Sequence, residues 1–281
     1  MGNLDLLSYE ALLEETFPLE ISDKPQSAPY RGLENETPKQ KSIILDGITG
    51  WIAWSAVLIM VVGALVNPPF VFTVSALVGV YMAGRFLMAG MLAMRGMMLI
   101  KEAEKINWRV KYHQHRRSDS LAWTDVIHVM VIPNYKEDYD VLRDTLARIA
   151  ESPLAKTQVC VVLGMEEREQ NAHTKAESLM MEFESRFLHI IATYHPKDIP
   201  GEVAGKSSNE AWAGREAYKT LVLGHGYDIN KMVITIMDAD SLIHHRYLEA
   251  VTYHFATTPA KMRYNRMWQA PIRYDNNIWK V

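Results

Sequence analysis

The chain has 281 residues, 33 acidic against 30 basic, a net charge of −3 and 48% apolar residues. That near-balance gives no basis for a nucleic-acid binder, whose footprint is an excess of Lys and Arg. A single cysteine, Cys160, excludes an internal disulfide framework, and its place in an apolar strand-like run marks it as a buried structural thiol in a reducing compartment.

Residues 1–41 hold eight acidic side chains, with Pro25, Pro29 and Pro38 among Ser, Asn and Gly. This composition predicts a weakly ordered acidic tail, with at most a short helix near Tyr9 to Phe17. The segment lacks the basic start and adjoining apolar core of a secretory signal.

Residues 42–104 differ sharply. Trp51 to Val66 carries no charge, Asn67-Pro68-Pro69 is a helix break, and a second uncharged run covers Phe70 to Gly84 before continuing past Arg85. A spanning helix needs about 20 mostly apolar residues, so two transmembrane helices are expected. The competing expectation is a buried helical hairpin in a soluble core. The turn carries no charge, whereas Arg85, Arg95, Lys101, Lys105, Arg109, Lys111, Arg116 and Arg117 follow the second run. Positive-inside logic therefore places both termini in the cytoplasm, as in a multi-pass integral membrane protein. Met91 to Lys105 is expected as an interfacial helix, and residues 105–124 as a basic linker facing the lipid bilayer.

From residue 125 the pattern alternates. Strands are expected at Val126–Pro133, Gln158–Leu163, Leu188–Thr193, Lys231–Met237 and Met267–Tyr274. Helices are expected at Tyr139–Glu151, Ala172–Phe187, Ser207–Leu223 and His244–Thr257. Strands separated by helices argue an α/β fold with a mainly parallel sheet and right-handed crossovers.

The most informative run is Met232-Val-Ile-Thr-Ile-Met-Asp-Ala-Asp-Ser241, an apolar strand that ends on two acids one residue apart. Residues i and i+2 of a strand share a side, so Asp238 and Asp240 can face one site. Two like charges there favour a bridging cation, and oxygen ligands without Cys or His favour Mg²⁺ or Mn²⁺. The plainer reading is a cap for the helix starting near His244, and His244 and His245 are read as surface or capping residues.

Four features fall at or after strand ends: Pro133-Asn-Tyr-Lys-Glu137, Gly164-Met-Glu-Glu-Arg168, Gly201 to Asn209 with Gly205-Lys206, and Asp238-Ala-Asp240. In this order they resemble family 2 glycosyltransferases of the nucleotide-diphospho-sugar (GT-A) fold. With two membrane helices ahead, the chain looks like the cellulose synthase and hyaluronan synthase branch. The resemblance covers residues 125–281 and implies a donor-binding GT-A domain, incomplete at its C-terminus. It implies a UDP- or GDP-sugar donor, a glycan or lipid acceptor, and inverting transfer with Mg²⁺ or Mn²⁺ at the cytoplasmic membrane face.

Carried over by position, Pro133, Tyr135 and Glu137 match the loop that meets the nucleobase and ribose. Chemically, a Tyr face can stack on a base and a carboxylate can accept from ribose hydroxyls. Pro-Asn-Tyr also suits a tight turn with Asp138 capping the next helix. Glu166 or Glu167 stands where the family has a base-reading Asp. Lys206 matches a Lys at a helix N-terminus, where amide groups and the dipole also favour phosphate. Asp238 resembles the residue touching sugar or ribose, and Asp240 the metal ligand. The resemblance implies a general base downstream of the D-x-D, and that base is expected beyond Val281, so transfer by these 281 residues alone is expected to be poor. Two alternatives are a membrane-anchored, non-catalytic nucleotide-sugar-binding half-domain and a haloacid-dehalogenase-type phosphatase with Asp238 as nucleophile and Asp240 as acid/base.

Overall fold

The computed structural model describes residues 43–199, 202–203 and 205–272. The tail of residues 1–41 and the end of the last expected strand, residues 273 and 274, lie outside them. The chain divides into two compact units, residues 1–84 and 85–281.

The first unit contains α1 (Ile43–Val66) and the start of α2 (Pro68–Ala103). Asn67 makes the turn. Its Oδ1 accepts the Phe70 N–H at 3.3 Å, and Pro68 begins α2 where an N–H is not needed. A Cβ on Gly63 would lie 2.8 Å from Val71 Cγ2, so this turn depends on glycine for close approach. Both helices are long and apolar enough to cross a membrane, with mean hydropathy of 2.0 and 1.7 over their most apolar stretches and none of either stretch buried. Trp51, Trp54, Leu58, Phe72 and Leu77 face outward, which a hairpin in a soluble core does not do. α2 runs through Arg95 and Lys101 without interruption, so most of the segment expected as an interfacial helix is a continuation of the second apolar helix. No proline breaks it, and at about 1.5 Å per residue its length exceeds a hydrocarbon core of about 30 Å.

In the second unit, residues 105–124 hold more than a linker. Asn107 caps α3 (Trp108–His115) by accepting the Val110 N–H at 3.1 Å. Trp108 and Tyr112, four residues apart and so on one helix face, are 7% and 4% exposed. The cations Arg109, Arg116 and Arg117 stay exposed.

The sheet has four strands, β1 (Ile127–Pro133), β2 (Val159–Glu166), β3 (His189–His195) and β4 (Met232–Ile236), in the order β3-β2-β1-β4. Every pairing is parallel. β1 and β2 are buried along their whole length, as central parallel strands must be, and both are apolar apart from His128 in β1 and Glu166 at the end of β2. One face packs on α4 (Tyr139–Ala150), α6 (Ala172–Phe183) and α8 (Tyr247–Thr257) through Met130, Ile132, Leu142, Leu146, Leu179 and Leu248. The other face packs Val129, Val131, Cys160 and Val162 against Ala213, Ala217 and Leu221. Those residues belong to α7 (Lys206–Ala217) and the π-helical segment Tyr218–Gly224 that continues it. Short helices α5 (Ala155–Gln158) and α9 (Ala260–Arg263) complete the unit. Cys160 is buried, and burial pushes its thiol up to about 12, consistent with a structural role. Residues 267–272, expected to begin a fifth strand, form none; Met267 is exposed and Trp268 packs on Phe255.

Two buried polar groups tie α8 in place. Arg263, 3% exposed, donates to the carbonyls of Phe255, Ala256 and Thr258 at the end of α8 and to that of Asp119. His128 meets Thr252 Oγ1 at 2.7 Å. The Thr252 hydroxyl already donates to Leu248 O, so His128 carries its proton on Nε2. Burial pushes His128 down to about 3, and burial with nearby Lys111 and Arg266 pushes His254 down to about 4.

An unfolded chain takes up both protons as pH falls through about 6.5, whereas the folded chain resists until far lower pH. The stability these two histidines permit is therefore full above that value and lost below it. Urea unfolding of the full chain should show stability falling by about 2 kcal/mol per pH unit near pH 5. His254→Gln should remove about half of that slope, and a flat profile from neutral pH to pH 5 would contradict the assignment.

Candidate functional site

The chain leaves β1 toward β2 on one side, while β4 pairs on the other. Loops from the two strands therefore diverge, and the crevice at their C-terminal ends is where open parallel sheets take ligands. The β1 loop brings Tyr135 and Glu137, and the β4 loop brings Asp238 and Asp240.

The β1 loop is held in a strained form. Lys136 has φ +63°, uncommon for a residue with a Cβ. Glu169 stabilises it by accepting from Lys136 N at 3.0 Å and Asn134 Nδ2 at 3.2 Å. Lys175 pairs with Glu169 and donates to Glu137 O at 2.8 Å. The Lys175–Glu169 pair is almost fully buried. Pro133, the last residue of β1, is buried, whereas Tyr135 and Glu137 are exposed. One face of the Tyr135 ring is covered by the Arg168 guanidinium, 4.0 Å from the ring centroid. Asp138 caps α4 through its backbone and makes no side-chain cap bond. A shallow groove of about 720 Å³ lies beside this clamp, between Lys136–Tyr139 and Glu169–Lys175.

After β4, burial alternates. Met237 and Ala239 are buried while Asp238 and Asp240 are exposed. Two buried anchors set this alternation. Met237 N donates to Val131 O at 3.1 Å, and Ala239 O accepts from Thr145 Oγ1 at 2.6 Å. Ser241 N returns to Asp238 O at 3.0 Å, so the D-A-D runs as a turn with both acids toward solvent. Lys206, the first residue of α7, forms an ion pair with Asp238. Gly205 precedes it, with its N–H donating to Ser208 Oγ at 2.9 Å. Gly164 in β2 lets α7 approach, since a Cβ there would meet Asn209 Oδ1 at 3.1 Å and Ala213 Cβ at 3.3 Å.

The two glutamates ending β2 diverge. Glu166 is 1% exposed and turned inward to His195 and Arg168, whereas Glu167 is exposed. Asn134, Thr145, Arg168, Glu169, Lys175, His195 and Glu202 surround these residues without a role assigned from sequence, Asn134 and Arg168 although they lie within the strand-end segments. Asn134 Oδ1, Asn209 Oδ1 and Arg168 Nε are buried without a hydrogen-bond partner; Arg168 Nε lies 3.2 Å from Glu166 Oε2 but is not aligned on it.

Asp238 and Asp240 suit a hard divalent cation. They offer only carboxylate oxygen and are open to water, and Mg²⁺ commonly takes one or two carboxylates with waters and phosphate oxygens. Among the described residues no group of three or more His, Cys, Asp or Glu side chains forms an all-protein cage. No protein-family model matches this chain, and no curated protein sequence matches it.

Thr145→Val keeps the side-chain shape but leaves the buried Ala239 carbonyl without its donor. Stability should fall by about 1–3 kcal/mol. The D-A-D turn should loosen, read as faster amide exchange at residues 238–241 than in the rest of the unit. Unchanged exchange there would mean that Thr145 does not hold the turn.

Proposed function

We propose that this chain is the donor-binding part of a membrane-anchored glycosyltransferase that takes a nucleotide-diphospho-sugar with Mg²⁺ or Mn²⁺. The observation that carries this reading is the Lys206–Asp238 ion pair, which joins the N-terminus of α7 to the acids that follow β4, the strand beside the one that leads into the clamped Tyr135 loop. The order of the strand-end features along the chain and their resemblance to family 2 glycosyltransferases of the GT-A fold support the same reading.

In this reading Tyr135 offers a ring face to the nucleobase, while Glu137 and Glu167 accept from base or ribose donors. Lys206 exchanges its Asp238 partner for a phosphate oxygen, favoured by the helix N-terminus at which it sits. Asp240 and Asp238 hold the divalent cation, which supplies Lewis-acid neutralisation of the departing nucleoside diphosphate. The two apolar helices anchor the site in a bilayer, and the cations following them put it on the cytoplasmic side.

The alternative is a nucleotide-sugar-binding module that transfers nothing. Calorimetry with UDP or GDP and Mn²⁺, beside a radiolabelled sugar-transfer assay, separates the two. Binding with acceptor-dependent product supports the transferase, and binding without turnover supports the module.

Asp240→Asn turns a ligand carboxylate into a neutral amide. It should weaken metal-dependent binding of the nucleoside diphosphate at least about tenfold, the loss of a charged contact, with little change in thermal stability. Binding that is metal-independent and unaffected would overturn the donor-site reading. For the anchor, a cysteine at position 67 should label from outside, and one at position 116 only after permeabilisation. The reverse pattern would overturn the orientation.

A further inference from the structure

Two neighbouring residues after β2 hold Tyr135, one by its backbone and one by its ring. Glu169 accepts from the Asn134 side chain and the Lys136 N–H, on either side of Tyr135 in sequence. Arg168 places its guanidinium 4.0 Å from the Tyr135 ring centroid. Tyr135 itself makes no buried contact that would fix the ring, being 40% exposed.

The guanidinium is tied from the other side by charge. Glu166 ends β2 with its side chain 2% exposed, and its Oε2 lies 3.2 Å from Arg168 Nε. An arginine beside a carboxylate commonly forms aligned, often paired hydrogen bonds with it. Here the buried Nε makes none, and the guanidinium lies over the ring instead. The carboxylate therefore keeps Arg168 in place, while the aromatic face decides where its head group rests.

We propose that Arg168 is a positioning residue for the nucleobase: anchored by Glu166, it holds the Tyr135 ring by one face and presents the other, already oriented, to a stacking base. The proposal rests on the donor-site reading above. A cation over the ring is attracted by its quadrupole and restricts both ring torsions, so less side-chain freedom is lost when a base stacks. Lys136 does not replace this contact. Its Nζ also lies over the ring, but at 5.1 Å and on an exposed, flexible stem that can swing away from an arriving base. Arg168 acts through Tyr135 and not on the nucleotide directly, which separates it from an arginine that binds phosphate.

The test is a double-mutant cycle read by calorimetry of UDP and of GDP with Mn²⁺ on the detergent-solubilised full chain. Arg168→Leu should raise Kd about fivefold, the size of an exposed cation–π contact. In a Tyr135→Leu background, which keeps the apolar bulk, it should have no further effect. An unchanged Kd, or an equal rise in both backgrounds, overturns the proposal and leaves the donor site standing. No binding of either nucleotide to the wild-type chain overturns the donor reading and this proposal together. Arg168→Leu leaves the Glu166 charge buried without its cation, so the cycle is repeated on Glu166→Gln, where that charge is gone and the same non-additivity is expected. A second measurement needs no ligand. In ¹⁵N-arginine-labelled protein the Arg168 Nε–H signal, identified by its loss in Arg168→Leu, should lie upfield through the ring current of Tyr135 and return to its ordinary position in Tyr135→Leu. A signal that does not move overturns the proposal.

Discussion

β1 has parallel partners on both of its edges, and most of the α/β unit follows from that. A parallel strand cannot return by a tight turn, so each connection must climb over the sheet as a helix. With β2 and β3 laid to one side and β4 to the other, α7 and the π-helical segment that continues it cover the second face. The same reversal opens the crevice between the β1 and β4 loops. Coverage of that second face is incomplete. Ile234 and Ile236, in register with Val129 and Val131, are 59% and 54% exposed at the edge. Central strands are thus sealed on both sides while β4 is half open, and the acids that follow it sit at the least covered part of the sheet.

Within that frame the site is set by groups that are themselves buried. Tyr135 cannot be placed by its own contacts, because its loop needs a left-handed Lys136. The Glu169 carboxylate, neutralised by Lys175, makes that conformation affordable. Removing one partner of a buried pair costs about 3–5 kcal/mol, so neither residue is dispensable to the loop. The D-A-D turn is likewise set by Thr145 and Val131 rather than by its acids. The exposed Lys206–Asp238 pair, by contrast, contributes little to stability, as solvated pairs do. Because the pair is weak, either partner can be released at small cost.

The sequence made some of this legible for clear reasons. Continuous apolar runs such as Val159-Cys-Val-Val-Leu163 mark buried parallel strands, and the i, i+2 spacing of Asp238 and Asp240 matches the alternation in which both acids are exposed while Met237 and Ala239 are buried. The charge-free runs around Asn67-Pro-Pro69 fixed the two long helices. The helix-by-helix detail was less accessible. α3 hid beneath cations because only Trp108 and Tyr112 carry its packing. α2 runs on beyond the apolar stretch because Arg85 and Arg95 interrupt hydropathy but not helix geometry. The expected fifth strand drew on alternation in a stretch where Trp268 is used to cover Phe255 instead.

The supporting residues were least legible, and the reason is physical. Glu166 and Glu167 are identical in composition and adjacent in sequence, so only their opposite directions at the strand end separate them. One lies beneath the surface against His195 and the other faces water. His195 and Glu202 are seven residues apart in a stretch that carries no helical or strand pattern between them, so nothing in the sequence marks their 2.9 Å contact. A motif records which atoms a ligand can touch. Burial decides which of them are free to move and which hold the others still, and in this site the second group is as large as the first.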